Sequence, residues 1–500
     1  MHIDSAQAGA QKGRGCIEQI MTLLLLIDYA KCKKGKLFVL FDDFKKAYDK
    51  VPRDKLMECL KLRGCGRTML CAITSLYKCT KFILKSAIIS ANIGVRQGAP
   101  TSCTLFVIYM DNLVRMLKAR HQEDGWLGSL HALLLMDDTV LLSTSRDGCM
   151  AKLKTLLEYC EQSGMVLNEK KTKLMVINGD TFDRSPLILQ GQAENTCIEH
   201  TDHYVYLGAH FTADGRIASA MKHQAHSCIK HVNKFGMFVR KNMSMPYSFK
   251  FKVLQAALTS TMLYAFEAWL CEDISAINKL YMSAVKLLLG VRQTTPHLLC
   301  LLEAGLPELQ STVLKRRCNF LSSFQERCSG DEPLCQALQT CQEANSPMLQ
   351  KLRSAMQYQG NPELDNIREL KDRCRVKEHS STRCETYLML NPQMECHQVY
   401  SGKIKSFIPD FKRLAFTRFR LSSHQLRIET GRWSRVDREQ RLCPCNGTSV
   451  QNEYHVMFEC DFTSHIRDAF AINVMPWEDF FEADEETICE IMYLLHNQFS

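Results

Sequence analysis

The first 215 residues alternate between apolar spacings typical of β-strands and spacings typical of α-helices. The run KLFVLF at 36–41 has the length of a buried strand and ends at a pair of aspartates. The stretch LLLMDDTVLLS at 133–143 predicts two short β segments with Asp137 and Asp138 at the turn between them. Helices are predicted at 17–30, 52–62, 67–78, 101–117 and 146–160, and extended chain at 81–96 and 165–177. This alternation predicts an α+β domain built around a small sheet.

Beyond about residue 215 the apolar spacing becomes mainly helical. Helices are predicted at 216–243, 247–270, 275–290 and 309–327. Residues 328–400 are polar and rich in cysteine, and they predict helices joined by a loose linker. A basic segment with interspersed aromatic residues follows at 403–441, and a Cys/His cluster comes after it.

Composition limits the class of protein without defining it. A chain of 500 residues with 46% hydrophobic residues can form roughly two to four domains with sizeable cores. The net charge of +9 allows a nucleic-acid partner but does not require one. The 24 cysteines are scattered, which favours reduced thiols and an intracellular location in the nucleus, the cytoplasm or both. The apolar run at 20–27 is too short to span a bilayer, so no membrane partner is expected.

The candidate chemistry lies in three carboxylates at predicted strand ends. If the strand ending at Asp43 neighbours the β segments around Asp137 and Asp138, the three carboxylates converge at one edge of the sheet. That arrangement suits two divalent cations about 3.5–4 Å apart, which bind the attacking and leaving oxygens in a phosphoryl transfer. The 133–143 stretch alone is more simply a solvated β-turn. Its apolar flanks and the third carboxylate favour the metal site.

Five segments in a fixed order carry a resemblance to a known family. They are FDDFKKAYDKV at 41–51, GVRQGAPTSCTLF at 94–106, LLLMDDTVLLS at 133–143, GMVLNEKKTKLMVING at 164–179 and YLGAHFT at 206–212. This set resembles the palm of non-LTR (LINE-type) retrotransposon reverse transcriptases over roughly residues 5–215. The resemblance continues less sharply to about 325, through LYAFEAW at 263–269 and LLLGVRQTTP at 287–296.

The resemblance implies a fold and a division of the chain. The fold is an α+β polymerase palm of the right-hand, reverse transcriptase-like type, with a helical thumb and a small C-terminal Cys/His segment. The implied segments are residual fingers at 1–36, palm at 37–215, helical thumb or connection at 216–327, a helical or linker region at 328–402, and a basic segment with a zinc knuckle at 403–500.

The resemblance also implies an activity and its partners. The activity is RNA-directed DNA polymerisation, in which a primer 3′-OH attacks a dNTP on an RNA template with two Mg²⁺ ions, or Mn²⁺ instead. Asp43 and Asp137 would be catalytic metal ligands, and Asp138 a neighbouring or alternate ligand. Tyr48, five residues after Asp43, would lie under the incoming sugar and exclude a 2′-OH. The alternative for Tyr48 is a core aromatic on a helix. The oligomeric state stays open.

Further residues receive roles from the same match. Gln97 and Gly98 would contact the nucleotide or the template, since glycine lets another backbone approach closely. Arg96 and Lys173 would contact nucleic acid. Lys171, within the N-x-x-K-T-K pattern that begins at Asn168, would stabilise charge on the triphosphate. The alternatives are an ordinary turn around Gly98 and a solvated basic strand end around Lys171.

The sequence departs from the family pattern in three places. Asp42 stands where the family usually has an apolar residue, so we expect an extra surface charge or a disturbed strand end. Leu135 and Met136 replace the usual aromatic residue and alanine. The segment QAGAQKGRGC at 7–16 resembles the last fingers segment, so the chain is expected to be N-terminally truncated. The competing function is therefore a catalytically inactive or domesticated nucleic-acid-binding remnant. An RNA-templated RNA polymerase is disfavoured by Tyr48.

The C-terminal cluster predicts a second metal site. Cys443, Cys445, His455 and Cys460 offer three thiols and one imidazole, which suit tetrahedral Zn²⁺. Only one residue separates the first two cysteines, so two unrelated cysteines near a helical histidine is the alternative.

The preceding basic segment, residues 403–441, has eleven Lys/Arg against four acidic residues. Its aromatics could stack on bases while the basic side chains bind phosphates, or they could belong to the core of an amphipathic helix. They are Phe407, Phe411, Phe416, Phe419 and Trp433.

Overall fold

The computed structural model of the chain describes most of its residues. These are 2–78, 80–84, 87–190, 195–270, 273–328, 330–400, 408–472, 480 and 484–499. They fall into two compact units. Unit 1 consists of Met1–His223, Ala265–Glu272 and Arg316–Tyr358, and unit 2 of Gln224–Tyr264, Asp273–Lys315 and Gln359–Ser500.

All strands among the described residues lie before residue 213. They are β1 Leu37–Asp42, β2 Lys81–Leu84, β3 Ala87–Ser90, β4 Ala132–Leu135, β5 Asp138–Ser143, β6 Lys173–Ile177, β7 Leu187–Leu189, β8 Thr196–Ile198, β9 His203–Tyr206 and β10 Ala209–Thr212. The helices among them are α1 Cys16–Lys33, α2 Ala47–Lys50, α3 Arg53–Leu62, α4 Arg67–Lys78, α5 Pro100–Arg120 and α6 Arg146–Ser163. The α+β prediction is confirmed.

The remainder of the described chain is helical. Its first helices are α7 Ile217–Lys241, α8 Tyr247–Val253, α9 Ser260–Met262, α10 Ser275–Leu289, α11 His297–Ala304 and α12 Leu309–Arg327. Then follow α13 Pro333–Glu343, α14 Pro347–Met356, α15 Pro362–Val376, α16 Thr382–Leu390, α17 Asp410–Arg420, α18 Arg427–Trp433, α19 Glu453–Phe458, α20 Ser464–Ala469 and α21 Glu485–Gln498. Among the described residues, no helix has both the length and the apolar content needed to cross a bilayer.

The core of unit 1 forms around a four-stranded antiparallel sheet. Its strand order is β4-β5-β1-β6, with β1 between β5 and β6. Every residue of β1 is buried, which explains why its sequence is a continuous apolar run. Phe38 and Leu40 point to one face, into a core shared with α3, α5 and α6. Phe41 points to the other face and stacks on Tyr204 of β9, with ring centroids 4.2 Å apart.

One predicted helix, at 247–270, is wrong in its second half. The helix continues from α8 through a π-helical turn at Leu254–Thr259 and ends with α9 at Met262. Ala265 then takes a positive φ of 64°, which turns the chain. Because Phe266 and Trp269 remain buried after the turn, the apolar pattern continues and conceals the end of the helix.

The region 328–400 is more ordered than its composition suggests. Four helices, α13 to α16, fill it, and three of them begin with proline at their first position, where its fixed φ is favourable. The side chains of Ser346, Asn361 and Ser381 cap α14, α15 and α16.

One disulfide departs from the expectation of reduced thiols. Cys328 and Cys335 form a disulfide bond. The other described cysteines are free.

Candidate active site

The β4–β5 hairpin and the end of β1 bring the three predicted carboxylates to one edge of the sheet. Leu135 pairs with Asp138, so Met136 and Asp137 form a two-residue turn, and Met136 takes a left-handed φ of 60°. Asp42 of β1 pairs with Thr139 of β5, so the next position in that register sets Asp43 beside Asp138. The strands are therefore neighbours, as the convergence of the carboxylates requires.

The electrostatics of this edge reflect the crowding of negative charge. Burial raises the pKa of Asp137, and the charge of Asp43 raises it further. Burial, followed by the charges of Asp137 and Asp43, raises the pKa of Asp138 to about 6. Ionised together, these carboxylates destabilise one another unless cations neutralise them. A cluster of hard oxygen donors fits Mg²⁺ or Mn²⁺, which bind through a few carboxylates together with substrate phosphates.

The N-x-x-K-T-K motif surrounds Asp43. The Asn168 side-chain amide donates to Asp43 Oδ2 at 2.8 Å, and the Asp43 backbone N–H donates to Thr172 Oγ1 at 3.3 Å. Lys171 Nζ lies 3.6 Å from Asp43 Oδ1, and its side chain is 68% exposed. The ammonium group of Lys171 is therefore at the carboxylate edge and can turn toward an incoming anion.

Tyr48 lies between the core and the hairpin turn. Its ring stacks on Phe106 of α5, with centroids 4.3 Å apart. Its hydroxyl lies 3.7 Å from Met136 Sδ and 3.9 Å from Cys103 Sγ. The residue is thus partly a packing aromatic, yet its outer end borders the turn that carries Asp137.

The second of the five segments, GVRQGAPTSCTLF at 94–106, begins with a turn that contains two glycines in different surroundings. Gly94 has a φ of +83°, and a Cβ there would lie 2.9 Å from the backbone oxygen of Asp49. Gly98 also has a φ of +83°, but a Cβ there would meet no atom within 4 Å. Gln97 donates to Asp49 Oδ1 at 3.2 Å, which ties the turn to the segment after Tyr48. Gly98 therefore presents an open backbone, as a nucleotide contact requires.

Two of the predicted nucleic-acid contacts already have partners within the protein. Arg96 donates to the Leu76 carbonyl oxygen at 2.6 Å and to Thr80 Oγ1 at 3.2 Å. Lys173 Nζ pairs with Glu199 Oε2 at 2.5 Å. Their roles stay predictions, and each side chain would have to exchange a partner to contact a phosphate.

The expectation for Asp42 is wrong. Its side chain is only 3% exposed, neither carboxylate oxygen has a hydrogen-bond partner, and β1 continues undisturbed through it. Burial raises the pKa of Asp42 well above its ordinary value, because removal from water penalises the charged form. Because strand residues alternate in direction, Asp42 points away from the face of Asp43.

Replacing Asp42 with asparagine is expected to make stability less dependent on pH. Because the folded-state pKa of Asp42 lies above its ordinary 3.8, the unfolded chain releases this proton first as pH rises. Wild type then loses about 1.4 kcal/mol of unfolding free energy per pH unit, from pH 4 up to the folded-state pKa. The thermal midpoint of Asp42→Asn, measured relative to wild type, should rise as the pH increases above 4. A constant difference would contradict this.

Gln7 supports the turn between β4 and β5 and was given no role by the sequence. Its side chain is fully buried, accepts from the backbone N–H of Met136 at 3.0 Å and donates to the Met136 carbonyl at 3.3 Å. Gln7 Oε1 also accepts from the Gly9 backbone N–H at 2.8 Å. A Cβ on Gly9 would lie 2.7 Å from Met136 N, so only glycine allows this close approach. No spacing rule links residues so far apart in the chain, and the QAGAQKG stretch was the only signal.

The C-terminal cluster assembles as its spacing predicts. The ligand atoms of Cys443, Cys445, His455 and Cys460 all lie within 4.8 Å of one another. Sγ of Cys443 is 3.6 Å from Sγ of Cys460, and Sγ of Cys445 is 3.2 Å from Nε2 of His455. Nδ1 of His455 lies 3.2 Å from Glu459 Oε2, a carboxylate placed to orient the imidazole. Three soft thiols and one oriented imidazole fit a tetrahedral metal-binding site.

In the basic segment, the core alternative is correct for two aromatic residues of α17. Phe416 and Phe419 are buried, so they offer no surface for stacking bases. Arg413 and Arg420 are also buried, and they pair with Asp410 and Glu303. Phe411 and Trp433 remain exposed, with the Arg292 guanidinium 4.0 Å from the Trp433 ring centroid. Phe407 lies outside the described residues.

Comparison with known families agrees with this site. Residues 1–211 match the family model described as "Reverse transcriptase (RNA-dependent DNA polymerase)". This part of the chain is thus similar to reverse transcriptase domains, and the resemblance predicted from the five motifs is confirmed.

The particular relatives are polyproteins of R2 retrotransposable elements. The chain is 28% identical over 229 residues to the Retrovirus-related Pol polyprotein from type-1 retrotransposable element R2 of Nasonia vitripennis, covering 43% of this chain and 22% of that protein. It is 25% identical over 225 residues to the Retrovirus-related Pol polyprotein from type-2 retrotransposable element R2DM of Drosophila melanogaster. That match covers 43% of this chain and 21% of the polyprotein. The chain thus spans about a fifth of the length of these relatives.

A likeness to a solved structure is much weaker. The structure is that of telomerase from Candida Tropicalis in complex with a TWJ fragment of telomeric RNA. The match covers 73% of this chain and 53% of the telomerase chain, at 13% identity and a TM-score of 0.31. A similarity at this level carries no argument about the present chain.

Proposed function

We propose that the chain is an RNA-directed DNA polymerase that adds dNTPs to a DNA primer on an RNA template. The observation that supports this most strongly is the meeting of Asp43, Asp137 and Asp138 at one edge of the sheet in unit 1. The same edge carries an exposed lysine and a half-buried tyrosine, and it lies within the matched reverse transcriptase domain. A solvated turn would not need this set of neighbours.

The three carboxylates would hold two Mg²⁺ ions, or Mn²⁺ instead. When bound, such ions stabilise negative charge on the attacking and leaving oxygens. Asn168 fixes the orientation of the Asp43 carboxylate through its 2.8 Å hydrogen bond. Gln7 fixes the turn that carries Asp137 through its contacts with Met136. These hydrogen bonds from Asn168 and Gln7 hold the carboxylates in place before substrate arrives. Less free energy is then needed to reorganise the site during the reaction.

The reaction itself is a displacement at phosphorus. The primer 3′ oxygen forms a bond to the α-phosphorus of the dNTP, the bond to the bridging oxygen breaks, and pyrophosphate leaves while the hydroxyl proton passes to water. The exposed ammonium of Lys171 is close enough to Asp43 to stabilise the charge that develops on the leaving pyrophosphate. Lys171 is thus assigned to the triphosphate rather than to a solvated strand end.

The sugar and base of the nucleotide would lie over the surface between Tyr48 and the second motif. The Tyr48 ring is held by its stack on Phe106 and cannot easily withdraw from a sugar above it. Gly98 leaves space for close approach of a base or sugar to the backbone. Gln97 lies beside it and can exchange its hydrogen bond to Asp49 for one to the nucleotide or the template.

Replacing Tyr48 with alanine is expected to relax the choice of sugar. Loss of the ring removes the group that would clash with a 2′-OH, so the preference for dTTP over UTP should fall on the order of a hundredfold. Tyr48→Phe keeps the ring and should keep the preference. The measurement is the ratio of kcat/KM for the two nucleotides on one RNA template, and an unchanged ratio in Tyr48→Ala would disprove this role.

We also propose which segments of the chain form each part of the polymerase. Residues 1–36 would be the last part of the fingers, 37–215 the palm, 216–327 the helical thumb or connection, 328–402 a helical or linker region, and 403–500 a basic segment that contains a Zn²⁺ site. The four ligands Cys443, Cys445, His455 and Cys460 support that last assignment through their mutual proximity. A zinc-stabilised segment would serve contacts with the RNA template or the DNA primer.

Template-dependent primer extension by the full chain tests the proposed function. If the chain binds an RNA–DNA duplex but adds no nucleotide, the alternative of an inactive nucleic-acid-binding remnant is correct. If it extends the primer with dNTPs and the extension requires the three aspartates, the polymerase assignment is correct.

A further inference from the structure

Three histidines meet on the β9–β10 hairpin and the start of α7. His203 pairs with Thr212 across the hairpin, so His210 is its diagonal neighbour on the same face. His203 Nε2 lies 2.9 Å from His210 Nδ1. The ring of His223 on α7 lies 4.6 Å from that of His203 and 5.4 Å from that of His210, between centroids.

The three imidazoles can act together as ligands. One nitrogen of each lies within 4.8 Å of the corresponding nitrogen of the other two. His223 is the exposed member of the group, which leaves a route for an ion from solvent. A simple stack of aromatic rings needs no such convergence of nitrogen atoms.

We propose that His203, His210 and His223 bind one divalent transition-metal ion, with Zn²⁺ the best match and water as the fourth ligand. Three neutral imidazoles with an open fourth position are a recurrent Zn²⁺ environment. Imidazole ligands disfavour Mg²⁺ and Ca²⁺, which prefer oxygen. This site is separate from both the carboxylate edge and the Cys/His cluster, and it does not depend on the proposed polymerase function.

The position of the site gives it a mechanical consequence. Residue 204 follows directly after the first ligand, and the Tyr204 ring stacks on Phe41 at 4.2 Å. Phe41 belongs to β1, which leads directly to Asp43 at the carboxylate edge. A metal ion joining the two strands to α7 would therefore stabilise the hairpin that packs beside the catalytic carboxylates.

Zinc binding to the full chain tests the proposal, with His226 as the matched control. His226 lies on the same helix, is exposed and does not belong to the cluster. After equilibration with micromolar Zn²⁺ and gel filtration, wild type and His226→Ala should each hold about one more equivalent of zinc than His223→Ala and His210→Ala. Affinity at this site should fall at least about a hundredfold in the two cluster variants.

Cobalt separates this site from the cysteine cluster. Co²⁺ bound to thiolates gives strong ligand-to-metal charge-transfer absorption, whereas Co²⁺ bound to three imidazoles gives only weak visible bands. The difference spectrum between wild type and His223→Ala should contain the weak bands alone. Zn²⁺ should also raise the Tm of His226→Ala more than that of His223→Ala. Equal metal content and equal Tm shifts in wild type and His223→Ala would overturn the proposal and leave a hydrogen-bonded histidine stack.

Discussion

Replacing Asp43 with asparagine is expected to lower primer extension by about three orders of magnitude, whereas the same change at Asp42 should leave it within about threefold. Asparagine cannot supply the charge that holds two cations, and loss of roughly 4 kcal/mol of charge stabilisation corresponds to that factor. Asp42 is buried, burial raises its pKa, and its side chain lies on the other face of β1. The same Asp→Asn substitution is therefore expected to have opposite effects on primer extension at two adjacent positions.

The measurement is single-nucleotide extension at saturating primer–template, over a range of Mg²⁺ concentrations. Circular dichroism and thermal melting should show that both variants keep the wild-type fold, since Asp43 is partly exposed and Asp42→Asn is nearly isosteric with the neutral acid. If Asp43→Asn extended primers at the wild-type rate, Asp43 would not be a metal ligand. If Asp42→Asn lost as much activity as Asp43→Asn, the assignment of separate faces would fail.

Replacing Cys443 with alanine is expected to remove about one equivalent of zinc and to unfold the segment around it. Cys443, His455 and Cys460 are buried together, and a structural zinc ion supplies on the order of 10 kcal/mol to the folding of such a segment. The adjoining helices α19 and α20 have only six residues each, so they have little stability of their own.

Metal analysis of the full chain and limited proteolysis test this effect. Cys396→Ala is the matched control, since Cys396 is a free, exposed thiol outside the cluster. New cleavage should appear between residues 442 and 470 in Cys443→Ala and not in the control. The same zinc content in wild type and Cys443→Ala would show that the four residues do not form a zinc site.

Much of the catalytic edge could be predicted from the sequence because its signals are local. The run at 36–41 and the stretch 133–143 predicted the two strand ends, and the structure has β1 at Leu37–Asp42 and β5 at Asp138–Ser143. The pairing of β1 with β5 then brings the carboxylates together. The four ligands of the Cys/His cluster were predicted in the same way, because they lie within 18 residues of one another.

Other features could not be predicted because they depend on tertiary contacts. β1 is buried on both faces, so its apolar run has no alternation to show which way Asp42 points. Gln7 acts on Met136 across more than a hundred residues. The three histidines lie on two strands and a helix, and their spacing follows no motif. The turn at Ala265 ends a helix inside a buried apolar stretch, where periodicity gives no signal.

Primer extension by the purified full chain on a poly(rA)/oligo(dT) template with dTTP and Mg²⁺ tests the central claim most directly. Asp137→Ala is the reference, because Asp137 lies at the turn of the catalytic hairpin. We expect wild type to extend the primer and Asp137→Ala to show only background, about a thousandfold lower. Extension by wild type no greater than that by Asp137→Ala would contradict the assignment of this chain as an RNA-directed DNA polymerase.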